Sequence, residues 1–279
     1  MKKMIYVFFV AALITGCKES KENNDEMMPV ETDGGIGDGA PSLENAFAQS
    51  VEKAHNKQAF LEHDIISYDI QINFGGNPRL DGHVVMKTNS TKIEINIEDG
   101  TKIMYDGTDV FLSPSTSEMK SARFDIFTWP YFMAMPFKLS DPGTKWSDLK
   151  QITVNNNEYS KAKLSFENEI GDTSDDWYQV YVDNTTNLLS YAAYIVTFGK
   201  TKEKAEAEPH AIVYANYEVI DGIAIADQWK FYNWSEEKEL FGEPIGNATL
   251  TNIKFMDAYD FKVPTDAKKI ESPANTPKQ

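Results

Sequence analysis

The sequence predicts an α+β domain in which a curved antiparallel sheet, a half-barrel, packs around an N-terminal helix. Three observations predict it. Apolar residues recur every 3.6 positions across residues 42–60. After His63 the period changes to two and holds through most of the chain. Asp-Gly and Asn-rich turns separate the alternating runs, so a meander of sequence neighbours is the economical topology.

Ser42, just after Pro41, is placed to cap the helix. Leu43, Phe47, Val51 and Ala54 share one face, while Glu44, Glu52 and Lys53 stay polar. The helix should end near Lys57, with Phe47 and Val51 packed on strand residues such as Ile70 and Ile95. Ile66, Tyr68, Ile70, Ile72 and Phe74 then alternate with polar residues up to the turn Gly75-Gly76-Asn77-Pro78. Val84 and Met86, then Ile93, Ile95 and Ile97, repeat the pattern before Asp99-Gly100. Ile103 and Tyr105, then Val110 to Leu112, complete the first block. A second block begins near Gln151. Ala162, Leu164 and Phe166 alternate, as do Tyr178, Val180 and Val182, with Trp177 and Tyr181 on the opposite face. Residues 188–198, 210–219, 223–234 and 248–255 supply further strands, and 200–208 form a charged loop.

Between the blocks lies Phe124 to Leu139, with six aromatic residues and two methionines. Pro130 and Pro136 interrupt it, which predicts short helical pieces over the sheet mouth rather than one helix. Its composition suits an adaptable apolar surface. Phe127, Trp129, Tyr131, Phe132, Met133, Met135 and Phe137 are therefore the candidate ligand-binding residues. The competing reading makes the segment a plug that fills the core.

Length and charge bound the rest. The chain has 279 residues and a formal charge of −16. So acidic a protein repels nucleic acid and anionic membrane surfaces. Residues 1–17 open with Lys2 and Lys3, continue apolar, and close on Ile14-Thr15-Gly16-Cys17, which holds the sole cysteine. This resembles a bacterial lipoprotein leader and implies cleavage after Gly16 and lipid on Cys17. The expected organisation is a signal peptide over 1–16, a lipidated flexible tether over 17–41, the half-barrel domain over 42–262 and a disordered tail over 263–279. Without the leader, 25 basic and 43 acidic residues give −18. A lone cysteine leaves no disulfide framework.

One helix, a long curved sheet and a mid-chain apolar insert resemble the half-barrels of periplasmic lipoprotein carriers and outer-membrane lipoprotein receptors of the LolA and LolB type. Met135-Pro136-Phe137-Lys138-Leu139-Ser140-Asp141-Pro142-Gly143, with Tyr181-Val182-Asp183 and Asp221-Gly222-Ile223, is similar to an uncharacterised lipoprotein family of Bacteroidetes. The resemblance covers residues 43–262. It implies a fold that holds an acyl chain or another apolar molecule between sheet and helices. A soluble carrier lacks a lipid anchor, so the expected anchor favours receptor or binding roles over transport.

The chemistry of catalysis is sparse. His55, His63, His83 and His210 show no metal-binding spacing and read as surface or strand residues. Gly35-Ile36-Gly37-Asp38-Gly39 follows no strand and opens no helix, which removes the context of a nucleotide loop. No G-x-S-x-G occurs. Carboxylates such as Asp81, Glu94, Asp109, Asp175 and Asp176 suit turns and solvation better than glycoside hydrolysis. The expectation is a monomeric, non-enzymatic outer-membrane lipoprotein, on the periplasmic face or cell surface. It should need no cofactor, contact the membrane through Cys17 and bind a hydrophobic small molecule or acyl chain. A structural or interaction lipoprotein with a filled core is the alternative, and a hydrolase using acidic residues the third reading.

Overall fold

The computed structural model describes residues 41–168 and 170–272. The expected leader, Cys17 and the tether up to residue 40 lie outside the described residues. The described chain begins with α1 (Leu43–Ala54) and α2 (Lys57–Glu62). Strands β1 (Ile65–Phe74), β2 (Asn77–Lys87), β3 (Ile93–Ile97), β4 (Lys102–Tyr105) and β5 (Val110–Ser113) follow. Next come α3 (Ala122–Ala134) and a 3-10 turn over Met135–Phe137. The second half holds β6 (Thr144–Val154), β7 (Asn157–Phe166), β8 (Tyr178–Asp183), β9 (Leu189–Tyr194), α4 (Lys202–Glu206), β10 (His210–Ile220), β11 (Ile223–Ser235), β12 (Glu239–Met256) and β13 (Lys268–Ile270).

All thirteen strands form one antiparallel sheet in the order β13-β5-β4-β3-β2-β1-β12-β11-β10-β9-β8-β7-β6. Its edges, β13 and β6, do not meet, so the curved sheet stays open as the expected half-barrel. The single meander becomes two, β1–β5 and β6–β12, joined where β1 pairs with β12 from Ile65↔Met256 to Phe74↔Gly246. The cause is α3, which takes the chain from β5 near one edge to β6 at the other. The join needs a glycine at 246. A Cβ there would lie 2.5 Å from the Phe74 ring and 2.6 Å from the Asn73 carbonyl oxygen.

The tail also departs from expectation. Instead of losing structure at residue 263, the chain returns to pair Lys268–Ile270 with Val110–Leu112. Ser113 Oγ donates to Asp266 at 2.7 Å, fixing the return. The added strand covers what would otherwise be the bare edge of β5. Residues 273–279 lie outside the described residues.

The N-terminal helix is two helices, because Asn56 takes a left-handed conformation with φ 61°. Ser42 caps α1 as predicted, accepting the Asn45 N–H at 3.1 Å. Phe47 and Val51 are buried in the same core cluster as Ile70 and Ile95, and α1 lies against β6 and the 3-10 turn. The Phe47 ring meets Trp146 edge-on at 5.5 Å. Leu43, one turn earlier, lies beyond that contact and is exposed.

The α1–α2 junction serves a break in the sheet. β11 and β12 pair from Ser235↔Glu239 to Gln228↔Thr249 and then part. Phe60 of α2 reaches Phe255 of β12 at 6.0 Å and stacks on Phe137 at 3.9 Å. Asn56 Nδ2 donates to the Gly222 carbonyl at 3.0 Å. His55, expected near the surface, is fully buried at this junction. Its Nδ1 lies 3.0 Å from the Ala224 carbonyl oxygen and its Nε2 accepts the Leu189 N–H at 3.0 Å. That pair of bonds defines a neutral ring protonated at Nδ1. Burial lowers its pKa from 6.5 to about 4, against the raising effect of the Ala224 bond.

The convex face carries a second, smaller cluster of Tyr181, Tyr191, Ala193, Ala211 and Trp234. Lys161 is buried beside it, 4.9 Å from the Tyr181 ring centre and ion-paired to Glu239 at 3.4 Å.

His55 makes stability pH-dependent with a defined sign. Its folded pKa lies below the unfolded value, so its contribution is complete above pH 6.5 and is lost as pH falls toward 4. The full loss is about 3 kcal/mol. Urea unfolding from pH 7.5 to 4.5 should show this component, and His55→Gln should lack it, so that it appears as the difference between the two profiles. Identical profiles would contradict the assignment.

Candidate ligand-binding site

The expected break falls only at Pro136, where a 3-10 turn follows α3, and not at Pro130, through which α3 is continuous. Pro130 lies inside it and cannot donate to the Ile126 carbonyl. Packing against the sheet holds the helix through that position. Pro136 likewise has no N–H for the Phe132 carbonyl. The Tyr214 hydroxyl of β10 donates to that carbonyl instead, at 2.9 Å. The sheet thus supplies the hydrogen bond that the proline withdraws.

The helix divides into two faces. Asp125, Ile126, Trp129, Phe132 and Met133 turn inward and are buried. Trp129 lies 6.3 Å from Phe74 and 6.1 Å from Phe231, and Phe132 lies 5.0 Å from Tyr194. Phe124, Phe127 and Tyr131, spaced three and four residues apart, form an outer row that is only half-buried. Phe124 meets Phe198 at 5.8 Å, Phe127 meets Tyr105 at 5.1 Å, and Tyr131 meets Tyr178 at 5.7 Å. The outer row therefore touches both meanders across the open side of the sheet.

Charged groups fasten the helix. The fully buried Asp125 carboxylate accepts from Arg79 Nη2 at 2.6 Å and Nη1 at 3.2 Å. Ser121 Oγ and Trp129 Nε1 also donate to it, each at 2.8 Å. Burial raises the Asp125 pKa, and Arg79 and the other donors oppose that rise. Arg123 pairs with Asp172, its Nη2 at 2.7 Å, and donates to the Ile270 carbonyl at 3.2 Å, tying α3 to both halves. Beyond the 3-10 turn, Glu52 of α1 accepts from Ser140 N–H at 2.7 Å, Ser140 Oγ at 2.6 Å and Lys57 at 2.8 Å. Glu52 was expected on the solvent side of α1. It is buried because it receives this turn.

The seven candidate residues thus share one helix-and-turn unit but occupy two environments. Trp129, Phe132, Met133, Met135 and Phe137 are buried and fill the space beneath the unit with their own side chains. Phe127 and Tyr131 stand in the half-buried outer row.

Sequence reasoning missed a cleft of about 270 Å³. Its walls are Phe74, Tyr194, Val196 and Ile245, and Lys200, Glu208 and His210 also line it. Tyr178 lies 6.2 Å from Tyr194 and 5.7 Å from Tyr131, so one ring separates the cleft from the outer row. These residues come from four separate segments, and no linear spacing could have gathered them. Among the described residues, no group of three or more His, Cys, Asp or Glu side chains is arranged to hold a metal ion. No described helix is long and apolar enough to cross a membrane.

An open curved antiparallel sheet with a helix laid across its concave face defines the class of protein. Residues 82–242, more than half of the chain, match a family described as a family of unknown function (DUF6503), and the chain belongs to that family. Comparison with curated proteins finds no match. Among solved structures, the chain is similar to a LolA superfamily protein from Nitrosomonas europaea, at 13% identity and a TM-score of 0.48, covering 76% of this chain and 94% of that one. A DUF1329 family protein from Desulfovibrio piger is similar at 11% identity and a TM-score of 0.44, covering 78% and 95%. The Mycobacterium tuberculosis lipoprotein LppX matches at 8% identity and a TM-score of 0.25, covering 77% and 97%.

The fastening of α3 has measurable consequences. Arg79→Met leaves the Asp125 charge buried and unpaired, and should cost about 3–5 kcal/mol in urea unfolding. Adding Asp125→Asn should restore part of that loss. Tyr214→Phe leaves the Phe132 carbonyl without its donor and should cost about 1–3 kcal/mol. A cost near zero for Arg79→Met would show that the pair does not hold the helix.

Proposed function

We propose that this is a lipid-anchored, non-enzymatic protein of the outer membrane that binds an apolar ligand, a lipid or acyl chain, at α3. One observation carries the reading. A helix that is apolar on all sides belongs in a fully buried setting. α3 is apolar around its circumference, yet the sheet covers only one side, and Phe124, Phe127 and Tyr131 remain half-buried across the open side. An acyl chain lying along this row would cover it without needing catalytic groups. The methionines at 133 and 135 give the underlying surface the pliancy to adjust to such a guest. The leader-like segment ending in Cys17 supports the anchor.

A second reading has an observation of its own. The inner face of α3 is filled by Trp129, Phe132 and Phe137, as a purely structural or interaction lipoprotein requires. The outer row would then meet a protein rather than a lipid.

Titration with a fluorescent long-chain fatty acid separates the two. Saturable binding is expected, with Phe127→Asp and Tyr131→Asp each weakening it at least tenfold. Circular dichroism of each variant restricts the comparison to folded protein. No binding at any chain length would leave the structural reading. For the anchor, Cys17→Ser should release the protein from the membrane pellet, because stable attachment takes two or more acyl chains. A variant that still pellets and incorporates palmitate would overturn it.

A further inference from the structure

The cleft beside the outer row carries a more specific inference, which rests on the apolar-ligand reading above. Lys200, Glu208 and His210 line it together with an apolar wall of Phe74, Tyr194, Val196 and Ile245. Among the described residues, the side chains of these three polar groups form no ion pair with each other or with other residues. An apolar wall edged by unpaired polar groups suits an amphiphile better than a hydrocarbon. Lys200 brings one positive charge and Glu208 one negative charge.

His210 is half-buried on β10. Burial is the larger cause that lowers its pKa, Lys200 lowers it further, and Glu208 pushes the other way. The ring is therefore mainly neutral at pH 7, with one N–H to donate. Its aromatic neighbour is Tyr194, at 6.4 Å between ring centres.

We infer that the cleft takes the carboxylate end of a fatty acid, with one oxygen facing the Lys200 ammonium, the other accepting from His210, and the first methylenes against Val196 and Tyr194. Glu208 sets the charge limit, because a head with two negative charges would meet its carboxylate. The size is also informative. At a water-like ~30 Å³ per non-hydrogen atom, the cleft of about 270 Å³ holds roughly nine such atoms. Octanoate, with ten non-hydrogen atoms, fills it and leaves its terminal methyl at the rim. The remainder of a longer chain has to leave past Tyr178 toward Tyr131 and the outer row of α3.

The test is a nuclear magnetic resonance titration of the chain carrying Cys17→Ser, read at the amides of Val196 and His210. The probes are octanoate, octan-1-ol and octyl phosphate at pH 7.5. Octanoate should bind at least tenfold tighter than octan-1-ol or octyl phosphate. Lys200→Glu, at an exposed position, should remove the octanoate preference and leave octan-1-ol unchanged. Val196→Trp should fill the cleft and abolish octanoate binding. Affinity should rise about fourfold per methylene up to roughly eight carbons, and more slowly beyond. Equal binding of octanoate and octan-1-ol, unaffected by Lys200→Glu, would overturn the head-group assignment while leaving the apolar site standing. Preference for octyl phosphate, or octanoate binding that survives Val196→Trp, would also overturn it. Failure of every octyl probe and of the long-chain fatty acid would remove the apolar-ligand reading itself.

Discussion

The Arg79–Asp125 pair is the constraint from which the rest of the arrangement follows. β5, next to the β13 edge, and β6, at the other edge, lie far apart in the strand order, so the chain between them must cross the concave face. A segment as apolar as Phe124–Leu139 has many ways to collapse onto an apolar sheet. A buried carboxylate has few, because it must find a cation and further donors. Asp125 finds Arg79 on β2, Ser121 one turn earlier and Trp129 one turn later. Such a pair adds little net stability over a well-packed apolar alternative, yet breaking it is costly. Its role here is to fix which face of α3 turns inward. With that face fixed, Phe124, Phe127 and Tyr131 turn outward and the aromatic row forms.

Much of the fold was legible because it rests on local periodicity. The period-two runs marked most strands, and Asp99-Gly100 and Asp221-Gly222 fall at hairpin turns. Ser42 capped the helix because capping is local chemistry. What escaped depended on partners distant in sequence. The pairing of β1 with β12 has no local signal beyond Gly246, whose missing side chain admits Phe74. Glu52 reads from sequence as a polar helix residue and His55 as a surface or strand residue. Their partners, Ser140 and the pair Leu189 and Ala224, lie 88, 134 and 169 residues away. Pro130 misled because packing against the sheet holds α3 through it, and at Pro136 the lost N–H is replaced by the Tyr214 hydroxyl, 82 residues from the Phe132 carbonyl that it serves.

The candidate site was legible in identity and not in orientation. Sequence marked seven residues of one apolar segment, and the structure does bring them onto one unit. It could not say which of them face the sheet, because a segment apolar on all sides gives no helical moment to orient it. Asp125, the one acidic residue in the first turn of α3, was the available signal. The charged lining of the cleft was also beyond reach, since Lys200 and Glu208 sit in a stretch that reads as an ordinary solvated loop.

The central claim is that the outer row of α3, formed by Phe124, Phe127 and Tyr131, is a surface that an acyl chain covers. Native-state hydrogen exchange of the α3 amides, residues 122–134, against those of β1 tests it most directly. The account predicts that a saturating long-chain fatty acid slows exchange along α3 more than along β1. Exchange along α3 that fatty acid leaves unaltered would contradict it and leave the helix a structural plug.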